Sequence, residues 1–137
     1  MQKQIDWIKG YKEREARGEE YYFITLDENG KRFGVNRLYN FDEESFEVGS
    51  WLFLNEAKSS VSILSDITTR EYGFNLKFPK FCRFEVRKEN LSVLAYHKRF
   101  SPILVNEDDL NNYYILSKEN FDEYKNKLLK VYGYGVK

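Results

Sequence analysis

The chain has 137 residues, of which 42% are hydrophobic and 32% charged, and its 22 basic side chains balance its 22 acidic ones. This length is that of one domain with a continuous core, and the hydrophobic content excludes intrinsic disorder. Because the charges balance, long-range attraction to nucleic acid or to an anionic membrane cannot come from the net charge, and only a local patch could supply it. No apolar run is long enough to cross a bilayer. Residues 1–6 contain no apolar stretch and Cys82 is the only cysteine, so we expect a soluble, cytoplasmic protein without disulfides.

The first half of the chain predicts one helix and a run of strands. Alternating charges beside a narrow apolar stripe predict a helix over about residues 4–18. Three strands are predicted over residues 21–26, 31–38 and 46–54. The first two flank Asn29-Gly30, a pair that favours a type I′ hairpin turn. Residues 60–68 fit either a fourth strand or a helical turn, because their periodicity does not distinguish the two.

The second half predicts further strands and a closing helix. Residues 74–78 alternate between apolar and polar, as in a half-buried strand, and Pro79 interrupts the pattern. Three more strands are predicted over residues 81–87, 91–97 and 112–116. Ser117 is a suitable cap for a helix over about residues 118–132. The predicted fold class is therefore α+β: a single domain whose mostly antiparallel sheet, over about residues 21–116, has about five to seven strands between an N-terminal and a C-terminal helix.

Charge is distributed unevenly along the chain. Residues 77–99 contain seven basic side chains against two acidic ones, residues 21–57 seven acidic against three basic, and residues 100–123 six acidic against one basic. In the basic segment aromatic side chains alternate with the cations. Proteins that bind single-stranded nucleic acid use this combination, with cations for phosphates and rings for bases. The segment therefore predicts a basic, aromatic-bearing sheet surface.

We predict that this surface binds a partner through Lys77, Lys80, Phe81, Arg83, Arg87, Lys88, Tyr96, His97, Lys98 and Arg99. The predicted partner is a macromolecule, either single-stranded nucleic acid or a protein, because charge alone does not separate the two. The predicted function is a non-catalytic interaction module, of the kind found among small inhibitors or adaptors of mobile elements. In the alternative interpretation Phe81 belongs to the core, and the acids of residues 100–123 neutralise a solvated cationic face.

Catalytic and metal-binding patterns are sparse. His97 is the only histidine, which excludes a metal site built on paired histidines. As an alternative function, His97 could be the general base of a small metal-independent RNase or another phosphoryl-transfer enzyme. Residues 106–109 lack the alternating ligands and the glycine of a calcium loop, so we expect no metal site and expect Asn106 to cap a helical turn. Cys82 is expected to be an inert core residue.

The sequence also predicts no cofactor, because no glycine-rich phosphate loop follows a strand. It leaves open whether the chain is an enzyme and favours a non-catalytic protein. A purely structural or oligomeric protein is the third possibility, and it would need an exposed apolar patch.

Overall fold

The computed structural model describes residues 9, 12–26, 29–53 and 59–131, and it leaves out the side chains of residues 50–53, 59 and 60. Within the predicted N-terminal helix, residues 12–16 are helical, and most of the earlier part of that prediction lies outside the described residues.

The described residues form one sheet and three longer helices. The strands are β1 (Tyr21–Leu26), β2 (Arg32–Tyr39), β3 (Ser45–Phe53), β4 (Phe81–Arg87), β5 (Ile103–Glu107) and β6 (Asn111–Ser117). The helices are α1 (Ser59–Leu76), α2 (Leu91–Lys98) and α3 (Lys118–Val131). The strand order is β1-β2-β3-β4-β6-β5, and every neighbouring pair is antiparallel except β3 and β4. This arrangement confirms the predicted single α+β domain with a mostly antiparallel sheet.

The first hairpin forms where the sequence predicts it. All six residues of β1 pair with β2 in antiparallel register. Gly30, in the connection, has a φ of +82°, a left-handed conformation that glycine adopts without steric cost. Residues 27 and 28 of the predicted turn lie outside the described residues. β3 begins and ends within one residue of the third predicted strand.

Two segments between β3 and β4 are helical. Residues 60–68, which fitted either a strand or a helical turn, belong to α1, and this helix is 18 residues long. The predicted strand over residues 74–78 is wrong, because α1 continues to Leu76. The apolar pattern has another cause: Phe74 is buried, and its ring centroid lies 5.1 Å from those of Phe46 and Phe121.

Another predicted strand, over residues 91–97, is also helical. The Asn90 carbonyl accepts the Leu94 N–H at 3.0 Å, which begins α2. β5 is not predicted from the sequence, because all five of its residues are exposed and show no alternation. Residues 106–109 form no helical turn. Instead, the Asp108 carboxylate accepts the N–H groups of Leu110 and Asn111 at 2.9 and 2.7 Å and closes the hairpin between β5 and β6.

The core lies on one face of the sheet, and α1, α2 and α3 all contribute to it. Along β4, Cys82, Phe84 and Val86 are buried while the intervening residues are not, which confirms the predicted two-faced strand. A Cβ on Gly73 would lie 2.5 Å from the ring of Phe46, so α1 reaches the sheet only because this position has no side chain. No described helix is long and apolar enough to cross a membrane.

Candidate functional site

The two parallel strands, β3 and β4, separate soon after they meet. Their ladder has three pairs: Ser45 with Phe81, Phe46 with Cys82, and Glu47 with Arg83. Beyond these pairs β3 stays with β2, and β4 stays with β6. The strands thereby open into a cleft between residues 48–53 and residues 84–87, which we call the wedge. Along the wedge each strand presents an edge without a ladder partner, so its peptide groups can bind an extended ligand that carries amides.

A β-bulge lies in the β3 side of the wedge. Val35 and Arg37 of β2, two positions apart, are paired with Leu52 and Gly49 of β3, which are three positions apart. The additional residue of β3 has no ladder partner, and such bulges are frequent beside functional sites because they redirect a peptide group.

The wedge encloses a cavity of about 520 Å³. This volume falls within the range of small-molecule sites, which are mostly apolar with a few placed polar groups. Val48, Phe84, Val86 and Val93 supply the apolar lining. The polar lining includes Tyr39, Asp66, Arg70, Glu85, Asn90 and His97.

A buried ion pair forms the helix side of this cavity. Asp66 and Arg70 lie one turn apart on α1, each has a side chain only 1% exposed, and Arg70 Nε donates to Asp66 Oδ2 at 3.0 Å. The Tyr96 hydroxyl donates to the same oxygen at 2.8 Å. Arg70 also donates to the sulfur of Cys82 at 3.1 Å and lies 4.4 Å from the ring centre of Phe84. Burial alone would lower the pKa of Arg70, but the Asp66 carboxylate raises it, so the guanidinium stays charged.

The second carboxylate oxygen of this pair is unusual. Asp66 Oδ1 is buried and has no hydrogen-bond partner among the described residues. Such an oxygen costs free energy unless a ligand or a solvent molecule donates to it. Asp66 is one of the residues that line the cavity.

His97 is buried beside the ion pair and is neutral. Its Nδ1 lies 3.4 Å from an Arg70 terminal nitrogen, and a guanidinium has only donors, so Nδ1 accepts and the ring proton lies on Nε2. Burial first and the Arg70 charge second lower the pKa of His97 to about 3. A neutral imidazole with Nδ1 engaged in this way is not a general base at neutral pH. Burial likewise raises the pKa of the Cys82 thiol, to about 11, so Cys82 is a buried thiol and not a thiolate.

The opposite side of the wedge is formed by Tyr39 and Glu85. The Tyr39 side chain lies across Gly49, where a Cβ would come within 2.9 Å of the phenol oxygen. Burial first, and then a hydrogen bond to Glu47, raise the pKa of the Tyr39 phenol. Glu85 lines the cavity, is exposed, and takes part in no ion pair found within the described ranges.

The residues of the predicted partner-binding surface do not lie together on one surface. Tyr96 and His97 are 7% and 5% exposed and belong to the interior. Phe81 is half-buried, and Lys77, Lys98 and Arg99 are exposed at the ends of α1 and α2. The remaining cations are paired with carboxylates: Lys80 with Glu44, Arg83 with Asp42 and Glu47, Arg87 with Glu89, and Lys88 with Glu107. The alternative interpretation predicted that the acids of residues 100–123 neutralise the basic segment. Only one of the paired acids, Glu107, comes from those residues, so most of the pairing involves other segments.

Comparison with solved structures identifies the fold. The chain is similar to apo FdhC, described as a nucleotide-linked sugar GNAT, with 35% identity over 98% of this chain and 76% of that one, and a TM-score of 0.83. It is also similar to the N-acetyltransferase PseH of Campylobacter jejuni, solved with acetyl coenzyme A (19% identity, 84% and 82% of the two chains, TM-score 0.66). Spermidine N-acetyltransferase SpeG of Vibrio cholerae, as its F149A mutant, gives 14% identity, 90% and 78% coverage and a TM-score of 0.69. No protein-family profile and no curated protein sequence matches the chain.

These similarities correct the functional predictions made from the sequence. A non-catalytic interaction module, an inhibitor and a macromolecular partner are all contradicted, because FdhC is described as a nucleotide-linked sugar GNAT and PseH and SpeG as N-acetyltransferases. The RNase alternative fails with them, and the buried, neutral His97 gives a physical reason. PseH and SpeG, at less than a quarter identity, establish the fold alone, whereas the identity to FdhC extends over nearly the whole chain. The chain belongs to the GNAT family.

Proposed function

We propose that this protein is an N-acyltransferase that transfers an acetyl group from acetyl-CoA to the amine of a small molecule, and that the acceptor is an amino sugar. The observation that carries the proposal is the wedge between β3 and β4 with its cavity of about 520 Å³. The similarity to FdhC, a nucleotide-linked sugar GNAT, and to PseH, solved with acetyl coenzyme A, supports the choice of donor and acceptor.

The residues of the wedge fit the narrow, amide-containing arm of coenzyme A. The unpaired strand edges offer peptide donors and acceptors along its length, and Gly49 contributes no side chain that would narrow it. Asp66 Oδ1 offers a buried acceptor without a partner among the described residues. When bound, acetyl-CoA would supply an acetyl group activated as a thioester, and coenzyme A would leave as the free thiol. This proposal replaces the prediction that the protein uses no cofactor.

Glu85 is the residue that we assign to proton transfer. An attacking amine must lose a proton as its nitrogen bonds to the acyl carbon, and a carboxylate within reach of the nitrogen can accept it. Glu85 and Asp66 are carboxylates of the described cavity lining, but Asp66 is held by Arg70 and Tyr96. Glu85 is exposed, so it can pass the proton on to solvent.

The predicted location of the protein is still the cytoplasm. The free, buried thiol of Cys82 agrees with this prediction.

The test is the release of free coenzyme A thiol from acetyl-CoA in the presence of nucleotide-linked amino sugars, free amino sugars and polyamines. We expect release with an amino sugar, and we expect Glu85→Gln to lower kcat by about 100-fold, as for the loss of a general base. The matched control is Glu123→Gln, an exposed glutamate on α3, which should keep the unmodified rate. Absence of thiol release with every amine, together with absence of acetyl-CoA binding in calorimetry, would refute the proposal.

A further inference from the structure

Arg83 ties β4 to β3 at the closed end of the wedge. It lies opposite Glu47 in the last of the three pairs of the parallel ladder. Its Nε donates to Ser45 Oγ at 2.9 Å, and its Nη1 donates to Glu47 Oε1 at 2.9 Å. Ser45 and Glu47 are two positions apart on β3, so they point to the same side of the sheet. One guanidinium therefore holds two successive positions on this face of the neighbouring strand.

The same guanidinium also holds the connection between β2 and β3. Asn40, in this connection, has a φ of +49°, a left-handed conformation that is uncommon for a residue with a side chain. Its carbonyl accepts a hydrogen bond from Arg83 Nη2 at 2.6 Å, and Asp42 Oδ2 lies 3.7 Å from the same nitrogen. All three nitrogens of the guanidinium are thus engaged. We call Arg83 and its four partners the clamp: Asn40, Asp42, Ser45 and Glu47.

The clamp reaches β2 through Glu47. Tyr39, Glu47 and Arg83 are successive ladder partners on β2, β3 and β4. The Glu47 carboxylate accepts the hydroxyl of Tyr39 as well as Arg83 Nη1. The side chains of Arg83 and Glu47 are only 33% and 28% exposed, and hydrogen bonds between charged groups are stronger than those between neutral ones. This row of side chains fixes three strands relative to one another just before the wedge opens.

Glu85 is the next residue of β4 that points to the same side as Arg83. Residues two apart on a strand share a face and lie roughly 7 Å from each other. On one side Glu85 pairs with Tyr113 of β6. On the other side the described ladder between β3 and β4 has already ended at Arg83. The separation of Glu85 from β3 therefore depends on how firmly the strands are joined at the clamp.

We infer that Arg83 is a positioning residue, which holds β4 against β3 so that Glu85 lies at the distance across the wedge that proton transfer requires. This inference rests on the proposed N-acyltransferase function and on the role assigned there to Glu85. Arg83 is not among the described residues that line the wedge cavity, so it acts through Glu85. A displacement of about 1 Å of a catalytic group can lower a rate about 100-fold.

The experiment is a double-mutant cycle on kcat for acetyl transfer. We expect Arg83→Met to lower kcat by about 10- to 100-fold in the unmodified protein. In the Glu85→Gln background the same substitution should lower kcat by less than about 3-fold, because no carboxylate is left to misplace. A general loss of structure would lower kcat by the same factor in both backgrounds. Arg83→Lys should restore little of the rate, since an ammonium does not match the fork of a guanidinium. Arg99→Met, at an exposed arginine, is the control and should keep the unmodified kcat.

A second variant and a readout without substrate complete the test. If Arg83→Met does not fold, as judged by circular dichroism, Glu47→Met removes the acceptor on the β3 side of the clamp and should show the same dependence on Glu85. Crystal structures of the unmodified protein and of the clamp variant, both without ligand, give the Cα separation between Gly49 and Glu85. We expect this separation to differ by about 1 Å between the two structures.

The outcomes separate this inference from the proposed function. If amines are acetylated but the clamp variant lowers kcat by the same factor with and without the Glu85 carboxylate, the positioning role is wrong and the acyltransferase stands. If no amine is acetylated but the separation across the wedge changes, the control of the wedge by the clamp stands and the proposed reaction is wrong. An identical separation in the two crystal structures overturns the inference directly.

Discussion

Replacement of Arg70 by methionine tests the energetic role of the buried ion pair. Methionine has a similar length and no charge, so Arg70→Met leaves the Asp66 carboxylate in an interior site that is 1% exposed. Removal of one partner from a buried pair costs about 3–5 kcal/mol, because the remaining charge has lost its compensation. Tyr96 still donates to Asp66, but one neutral hydrogen bond does not replace a guanidinium.

This cost converts into a large change in melting temperature. The unfolding entropy is about 2.1 cal/mol/K per residue, or about 0.3 kcal/mol/K for a chain of 137 residues. We therefore expect Arg70→Met to lower Tm by about 10–17 °C in thermal denaturation followed by circular dichroism at pH 7.

Two further variants make this test specific. In Arg70→Met/Asp66→Asn the buried charge is gone and Tyr96 keeps an acceptor, so at least half of the lost Tm should return. Arg99→Met removes an exposed arginine at the end of α2 and should change Tm by less than about 2 °C. A single Arg70→Met variant within about 3 °C of the unmodified protein would refute the reasoning, because it would mean that Asp66 is not desolvated.

Two more predictions concern the packing of α1 and the pH dependence of stability. Gly73→Ala should lower the free energy of unfolding by about 1–3 kcal/mol, because its Cβ would lie 2.5 Å from the buried Phe46 ring. Denaturant unfolding measures this change, with Asn75→Ala as a control at an exposed position of the same helix. Equal stabilities of the two variants would contradict the prediction. Folding lowers the pKa of His97 from 6.5 to about 3. Between pH 6.5 and pH 3 the imidazole is therefore protonated in the unfolded chain but not in the folded one, so the free energy of unfolding should fall as the pH drops below 6.5. The Tm of His97→Asn should fall less than that of the unmodified protein between pH 6.5 and about 5. Identical pH profiles of Tm for the two proteins would show that the His97 ring does not have this pKa.

The sequence predicted the fold well where the residues alternated clearly between apolar and polar, or where a turn-forming pair marked a hairpin. The alternation of Cys82, Phe84 and Val86 identified the buried face of β4, and Asn29-Gly30 marked the first hairpin. The prediction failed where tertiary contacts determine the secondary structure. α1 buries Phe74 against rings from β3 and α3, and local alternation around this residue imitates a strand.

The candidate site was harder to predict, because its parts are brought together only by the fold. His97 precedes Lys98 and Arg99 in sequence, which suggested a common surface, but successive residues of a helix point in different directions and His97 faces the core. The counts of charge by segment also took no account of acids that come from elsewhere, such as Glu47 beside Arg83. The spacing of Asp66 and Arg70 was the one available signal, and it is informative only once α1 is known to be a helix.

The short ladder between β3 and β4 has a consequence for the evolution of this domain. At its closed end, Phe46 and Cys82 join the two halves of the sheet and lie in the core, so substitutions there alter folding and function together. Past Glu47 and Arg83, the backbone ladder described for these two strands has no further pair. Exposed positions such as Glu85 and Arg87 can change to suit a different acyl group or acceptor while the sheet stays paired, whereas Val48, Phe84 and Val86 also belong to the core and are constrained by it.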